Sequence, residues 1–231
     1  MNKKNIISAS DASMPNPSSR QKSRRDLLRR GLLFGGAIAG ASGAVGLSAL
    51  TARPSWGSSM DDRDNDLTVL NNALYYEHQA IWAYGFAATK LSDTDVGKTV
   101  LALALRNQAD HMAHRDALAD AVRSLGGDPV ESESSYDLSS YLNAGEGGLD
   151  SDVNIAKLAL ALETDAAIAY VGEVAKLKTP ELVSAAASIG ADETAHATAI
   201  RAVFIALGTD IDYVPASFMN AATRNDWILK I

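Results

Sequence analysis

Gly190-Ala191-Asp192-Glu193-Thr194-Ala195-His196, continued through an alanine-rich apolar run to Leu207, is the stretch from which the fold is read. Glu193 and His196 stand three residues apart, so on a helix they leave the same face one turn apart. With that spacing, one helix of a four-helix bundle offers two ligands to a dinuclear metal site. A single Glu-x-x-His arises often by chance. A second copy of its surroundings gives it weight.

The chain holds that second copy. His111-Met112-Ala113-His114 has the same spacing, and another glutamate lies ahead of each pair: Glu77 in the first half, Glu163 in the second. Tyr84 follows Glu77 by seven residues, as Tyr170 follows Glu163. Leu125-Gly126 stands eleven residues after His114, and Leu207-Gly208 eleven after His196. All four histidines, with His78 the fourth, fall in or beside this pattern. Such a duplication points to two similar helix pairs facing each other across one site.

Working outward, apolar residues recur at helical spacing from Asp64 to Lys90, with Leu70, Leu74, Glu77, Ile81 and Tyr84 on one stripe. A glutamate inside such a stripe must be paired, protonated or metal-bound, because burying its charge alone is costly. Ser92 and Asp93 are candidate caps for a second helix that runs to about Leu125. Its inward face includes Val100, Ala104, Gln108, His111, His114 and Leu118, and Gly126-Gly127-Asp128-Pro129 ends it. Residues 130–150 are polar and glycine-rich, a length suited to a crossover along a bundle. Ser151 caps a third helix, Asp152 to Lys176, whose face carries Glu163 and Tyr170. Thr179-Pro180-Glu181 starts a fourth, which ends at Gly208. Phe218 and Trp227 of the tail, residues 209–231, are expected to pack on the bundle. The expected fold is all-α: an antiparallel four-helix bundle over 64–208, with the long connection between the second and third helices.

The N-terminal segment reads differently. Ser23-Arg24-Arg25-Asp26-Leu27-Leu28-Arg29 resembles a twin-arginine export signal, carried by Arg24 and Arg25. A soft apolar run follows over 31–52. Residues 1–53 therefore read as a signal peptide or, uncleaved, an N-terminal membrane anchor. The expectation is export to the periplasm or cell envelope, with the twin-arginine machinery as partner. Charge divides the same way. Residues 1–53 hold nine Lys/Arg and two Asp/Glu, a net of +7, and the whole chain is −7, which leaves −14 for the remainder. An acidic body has no basic surface for phosphates, which argues against nucleic acid as a partner. The chain has no cysteine, so disulfides, thiolate ligands and a cysteine nucleophile are excluded. Carboxylates with imidazoles favour iron, manganese or zinc.

Over Asp64 to Gly208 the chain resembles the ferritin-like superfamily, and in particular its small exported bacterial members. The family's dinuclear pattern is Glu, Glu-x-x-His, Glu, Glu-x-x-His on four successive helices. The matching positions here hold Glu77, His111-x-x-His114, Glu163 and Glu193-x-x-His196. The resemblance implies a metal site of Glu77, His111, His114, Glu163, Glu193 and His196, with Tyr84 and Tyr170 as hydrogen-bond partners of the ligands. It implies iron or manganese, as a dinuclear centre or a single ion, and oxidation or peroxide handling of the ferroxidase, peroxidase or catalase type, with O2 or peroxide as reactant. His111 departs from the pattern, since the family has a metal-bridging glutamate there. Asp110 is adjacent but rotated about 100° around the helix, so it is a poor substitute. Two alternatives stay open: a mononuclear site such as His114, Glu193 and His196, or a non-enzymatic envelope protein with a buried polar layer and no metal. His78 is read as a surface residue or a neighbour of a ligand. Nothing marks a 24-subunit cage, and a homo-oligomer through an exposed helix face is compatible with the sequence.

Overall fold

Ser59 opens the first helix through a capping box. Its hydroxyl accepts from Asp62 N at 3.1 Å, and Asp62 Oδ2 accepts from Ser59 N at 3.2 Å, which satisfies two N-terminal donors at once. This starts the helix four residues before the Asp64 expected from apolar spacing. The structure is a computed structural model and describes residues 59–230. The signal-peptide reading of residues 1–53 falls outside them. Among the described residues the helices are α1 (Met60–Ala88), α2 (Asp95–Ser124), α3 (Ser139–Asn143), α4 (Asp152–Val174), α5 (Pro180–Ala206) and α6 (Arg224–Trp227), and there is no strand. No described helix is long and apolar enough to cross a membrane.

Helices α1, α2, α4 and α5 form the bundle, paired α1 with α2 and α4 with α5. The second helix is capped by Thr94, whose hydroxyl accepts from Gly97 N at 3.1 Å, and not by Ser92 or Asp93. Ser92 is occupied elsewhere: its N–H and hydroxyl both donate to Asp152, at 2.8 and 2.5 Å. Gly126, at φ 78°, gives the chain the left-handed turn that ends α2.

Asp152 and its counterpart Asp66 lie eleven residues before Glu163 and Glu77 respectively. Asp66 on α1, fully buried, accepts from the backbone N–H groups of Lys178 (2.8 Å) and Thr179 (3.0 Å) in the α4–α5 turn. Asp152 on α4 holds the α1–α2 turn by accepting from the backbone N–H of Ser92 and from the hydroxyls of Ser92 and Thr94. Each helix pair thus grips the turn of the other, which fixes their relative height.

The core is layered along the bundle. At one end Leu70 and Leu74 of α1 pack with Leu118 and Val122 of α2 and with Leu182 and Ile189 of α5. At the other, Val100 of α2 packs with Leu160 of α4, with Ile200 and Phe204 of α5 and with Trp227. Between these apolar layers lie Glu77, His111, Glu163, Glu193 and His196, all buried.

The crossover runs beside α1. The ring of His78 lies 3.1 Å from Val130 O, within hydrogen-bond distance, and Val130 N donates to Asn71 Oδ1 at 2.8 Å. Tyr136 packs edge-on against Tyr75. In the tail, Trp227 is buried, as expected from the sequence, but Phe218 is 71% exposed. Arg201, buried on α5, anchors the tail by donating to Asp212 O and Trp227 O at 2.8 and 2.5 Å, so burial of Phe218 is not needed to hold it.

Candidate metal centre

Each helix of the bundle contributes to the central layer, at heights set by the spacings along the chain. Glu77 comes from α1, His111 and His114 from α2, Glu163 from α4, and Glu193 and His196 from α5. All six residues singled out from the sequence converge. They fall into two four-residue groups, Glu77, His111, His114 and Glu193, and His111, Glu163, Glu193 and His196. In each group the donor atoms lie within 4.8 Å of one another. A cation about 2.1 Å from each ligand holds donors roughly 3 to 4 Å apart, so little movement separates these groups from coordination.

His111 stands between the two α1 and α4 carboxylates. Its Nδ1 is 2.8 Å from Glu77 Oε2 and its Nε2 is 3.3 Å from Glu163 Oε1. His196 Nδ1 lies 3.3 Å from Glu163 Oε2 and 3.4 Å from Glu193 Oε2. Its other nitrogen lies 3.3 Å from Asp110 Oδ2. His114 repeats this orientation, with Nδ1 3.1 Å from Glu193 Oε1 and Nε2 3.3 Å from Asp192 Oδ2. Both rings therefore present Nδ1 to the core and hold Nε2 against an outer carboxylate. That is how a metal-ligating histidine is fixed in one tautomer and orientation.

Two atoms of the layer are left over. His114 Nδ1 and Glu193 Oε1 are buried and pair by charge at 3.1 Å, but neither makes a well-directed hydrogen bond. Buried polar atoms short of a hydrogen bond are rare in native structures, and an ion between them is one way to complete them. The donor set, all nitrogen and oxygen, fits iron, manganese or zinc.

The tyrosines are reciprocal. Tyr84 donates to Glu163 Oε1 and Tyr170 donates to Glu77 Oε1. The Tyr84 oxygen also accepts from Asn107 Nδ2 at 3.0 Å. Burial and the neighbouring carboxylates push both phenols well above their ordinary pKa, so they remain donors.

Opposite charges meet in the layer. Burial opposes ionisation of Glu77, but His111 and His114 outweigh it and hold the carboxyl near 2. Burial likewise opposes the imidazolium forms, and the surrounding carboxylates overcome it. His114 is raised to about 9 and His196 to about 10, and His111 lies well above its usual range. Glu163 is held well below its ordinary value, while burial raises Glu193. Without a metal, three imidazoles thus face three carboxylates.

The sequence reading missed Asn107, Asp110 and Asp192 as partners of the site. Asn107, and not Gln108, turns into the core. It lies one helical turn before His111, the signal that could have found it. Gln108 donates instead to Ile81 O at 2.8 Å. Asp192 lies four residues before His196, which is again a same-face spacing. Asp110 does not replace the absent glutamate. It lies outside the layer, bonded to Arg106 at 2.6 Å and facing His196. His78 takes no part in the layer.

A family model of the ferritin-like domain matches residues 65–206, more than half of the chain. The chain belongs to the ferritin-like domain family. Among solved structures, the ferritin-like bundle is similar to that of the conserved hypothetical protein rv2844 of Mycobacterium tuberculosis. The identity is 24%, with a TM-score of 0.53, over 68% of this chain and 99% of that one. This likeness establishes the fold alone. No curated protein matches the chain.

Proposed function

We propose that this chain is an exported ferritin-like metalloprotein whose core binds a dinuclear centre of iron or manganese, and that it acts in oxidation or in the handling of metal or peroxide. The observation that carries this reading is the pair of four-donor groups in one buried layer, sharing His111 and Glu193. Glu77 and His114 would serve one metal, Glu163 and His196 the other, and Glu193 both. When bound, such a centre supplies two-metal redox chemistry toward O2 or peroxide. The chain's own residues do the rest. Tyr84 and Tyr170 fix the carboxylate rotamers, Asp110 and Asp192 aim the imidazoles, and the apolar layers close the site at either end of the bundle. Export rests on Arg24, Arg25 and the apolar run behind them.

His111 favours a second reading, a ferritin-like envelope protein with a mononuclear or empty site. A bridging carboxylate brings a negative charge and two oxygens, whereas an imidazole brings neither. Three carboxylates leave about one positive charge of two divalent ions uncompensated.

Elemental mass spectrometry on protein purified without chelators or a histidine tag tests both. About two iron or manganese ions per chain is the expected result, and Glu193→Ala should lose them while keeping its helicity. About one ion would establish the mononuclear site. None after reconstitution with Fe2+ and Mn2+, or unchanged metal content in Glu193→Ala, would overturn the dinuclear reading.

A further inference from the structure

A space lies between α1 and α4 and extends well beyond the candidate metal ligands. It is a cavity of about 550 Å3, within the range of ~300–1,000 Å3 usual for small-molecule sites. Alanines make the room: Ala80 and Ala83 on α1 face Ala159, Ala166 and Ala169 on α4. Leu138 and Leu149 of the crossover close one side, and the exposed rings of Tyr76 and Phe86 also line it. The same cavity reaches the polar layer, where Glu77, Tyr84, His111, Glu163 and Tyr170 line it. Apolar walls with a few convergent polar groups at one place are the usual anatomy of a small-molecule site.

Charge narrows the occupant. Among the described residues that line the space there is no lysine or arginine, while Glu77, Glu163, Asp165 and Glu173 all do. An anion would lose its hydration and meet mainly carboxylates, since the one imidazole in the lining, His111, is already engaged by Glu77 and Glu163. The polar end of the cavity is rich in acceptors. The carboxylates of Glu77 and Glu163 each take a tyrosine proton, and the Tyr170 oxygen, as a hydroxyl, keeps acceptor capacity. A ligand that seats there must bring a donor.

We propose that this cavity binds a neutral, largely apolar organic molecule bearing a hydroxyl group, and that it seats the hydroxyl against the Tyr84–Glu163 and Tyr170–Glu77 pairs. The inference deepens the metalloprotein reading, on which it rests for what lies beyond those pairs. It names the class of organic substrate that would reach the centre.

Three naphthalenes of one ring size test it on the full chain, metal-free and metal-loaded: 1-naphthol, 1-methoxynaphthalene and 1-naphthoate, titrated by calorimetry. The expected order is naphthol first, the methoxy ether several-fold weaker for want of a donor, and naphthoate weakest, by at least about tenfold. Ala80→Phe and Ala166→Phe, each checked by melting curve, should weaken naphthol by about tenfold or more through lost volume. Leu105→Phe, on an exposed part of α2, should not. Absent naphthol binding, binding unchanged in the well-folded cavity variants, or naphthoate bound as tightly as naphthol would overturn the proposal. The metal reading fails separately: naphthol binding to a chain that takes up no metal keeps the cavity and removes the centre. Metal uptake without naphthol binding does the reverse.

Discussion

Tyr170 on α4 donates its hydroxyl to Glu77 on α1, 93 residues away, while Tyr84 on α1 donates to Glu163 on α4. Each tyrosine belongs to one half of the duplicated chain and serves the carboxylate of the other. The two contacts are alike in geometry but differ in support. Glu163 Oε1 lies 3.4 Å from Asn107 Nδ2, a second donor, whereas Asn107 has no counterpart at Glu77.

That difference predicts unequal mutants. Tyr170→Phe removes a donor from a fully buried carboxylate and should destabilise the metal-free protein by about 1–3 kcal/mol. Tyr84→Phe should cost less, because Asn107 remains to donate. Urea midpoints of both variants against the parent measure this, and equal losses would contradict the asymmetry.

The layer makes metal-free stability depend on pH with a definite sign. The folded-state values of His114 and His196, about 9 and about 10, lie above their ordinary 6.5. Their contribution is therefore complete below about pH 6.5 and is lost as pH rises through 9 to 10. Glu77, held near 2 against an ordinary 4.5, contributes above about pH 4.5 and loses this as pH falls toward 2. Midpoints of urea unfolding should peak between about pH 4.5 and 6.5. Metal must displace the imidazole protons, so its binding should release protons and tighten as pH rises. Calorimetry in two buffers of different ionisation enthalpy reads that release directly.

His111→Glu should change the two states of the protein in opposite directions. Four buried carboxylates facing two imidazoles destabilise the metal-free fold, by about 3–5 kcal/mol if the charge is not relieved by protonation. The same four carboxylates balance two divalent ions, so metal should be held more tightly. Melting curves with and without Mn2+ test this: the variant should melt below the parent without metal and gain more on loading.

Asp66 should matter to the fold and not to the site chemistry. Asp66→Ala leaves the N–H groups of Lys178 and Thr179 without an acceptor, at about 1–3 kcal/mol for the buried Thr179 and less for Lys178, which water can reach. The expected result is a lowered melting temperature with metal stoichiometry unchanged once folded. Loss of metal from folded Asp66→Ala would show that the clamp also sets the ligand geometry.

The sequence by itself determined whatever depends on neighbours within one or two helical turns. The Glu-x-x-His spacing, the stripes with carboxylates inside them, the glycine that ends α2 and the polar crossover each report which residues share a helix face, because 3.6 residues make a turn. That was enough for four helices, their order and all six residues of the central layer. Asn107 was within reach of the same logic, one turn before His111. Tertiary structure decided what crosses between helices. Which tyrosine meets which glutamate, how Asp66 and Asp152 clamp the opposite turns, and where Nε2 of His114 and His196 finds Asp192 and Asp110 all depend on the relative height and rotation of helices distant in sequence. The alanine-lined cavity depends on them too, since alanines facing each other can either close a contact or leave a space. The approach of α1 to α4, held by the layers at either end, is what leaves the space.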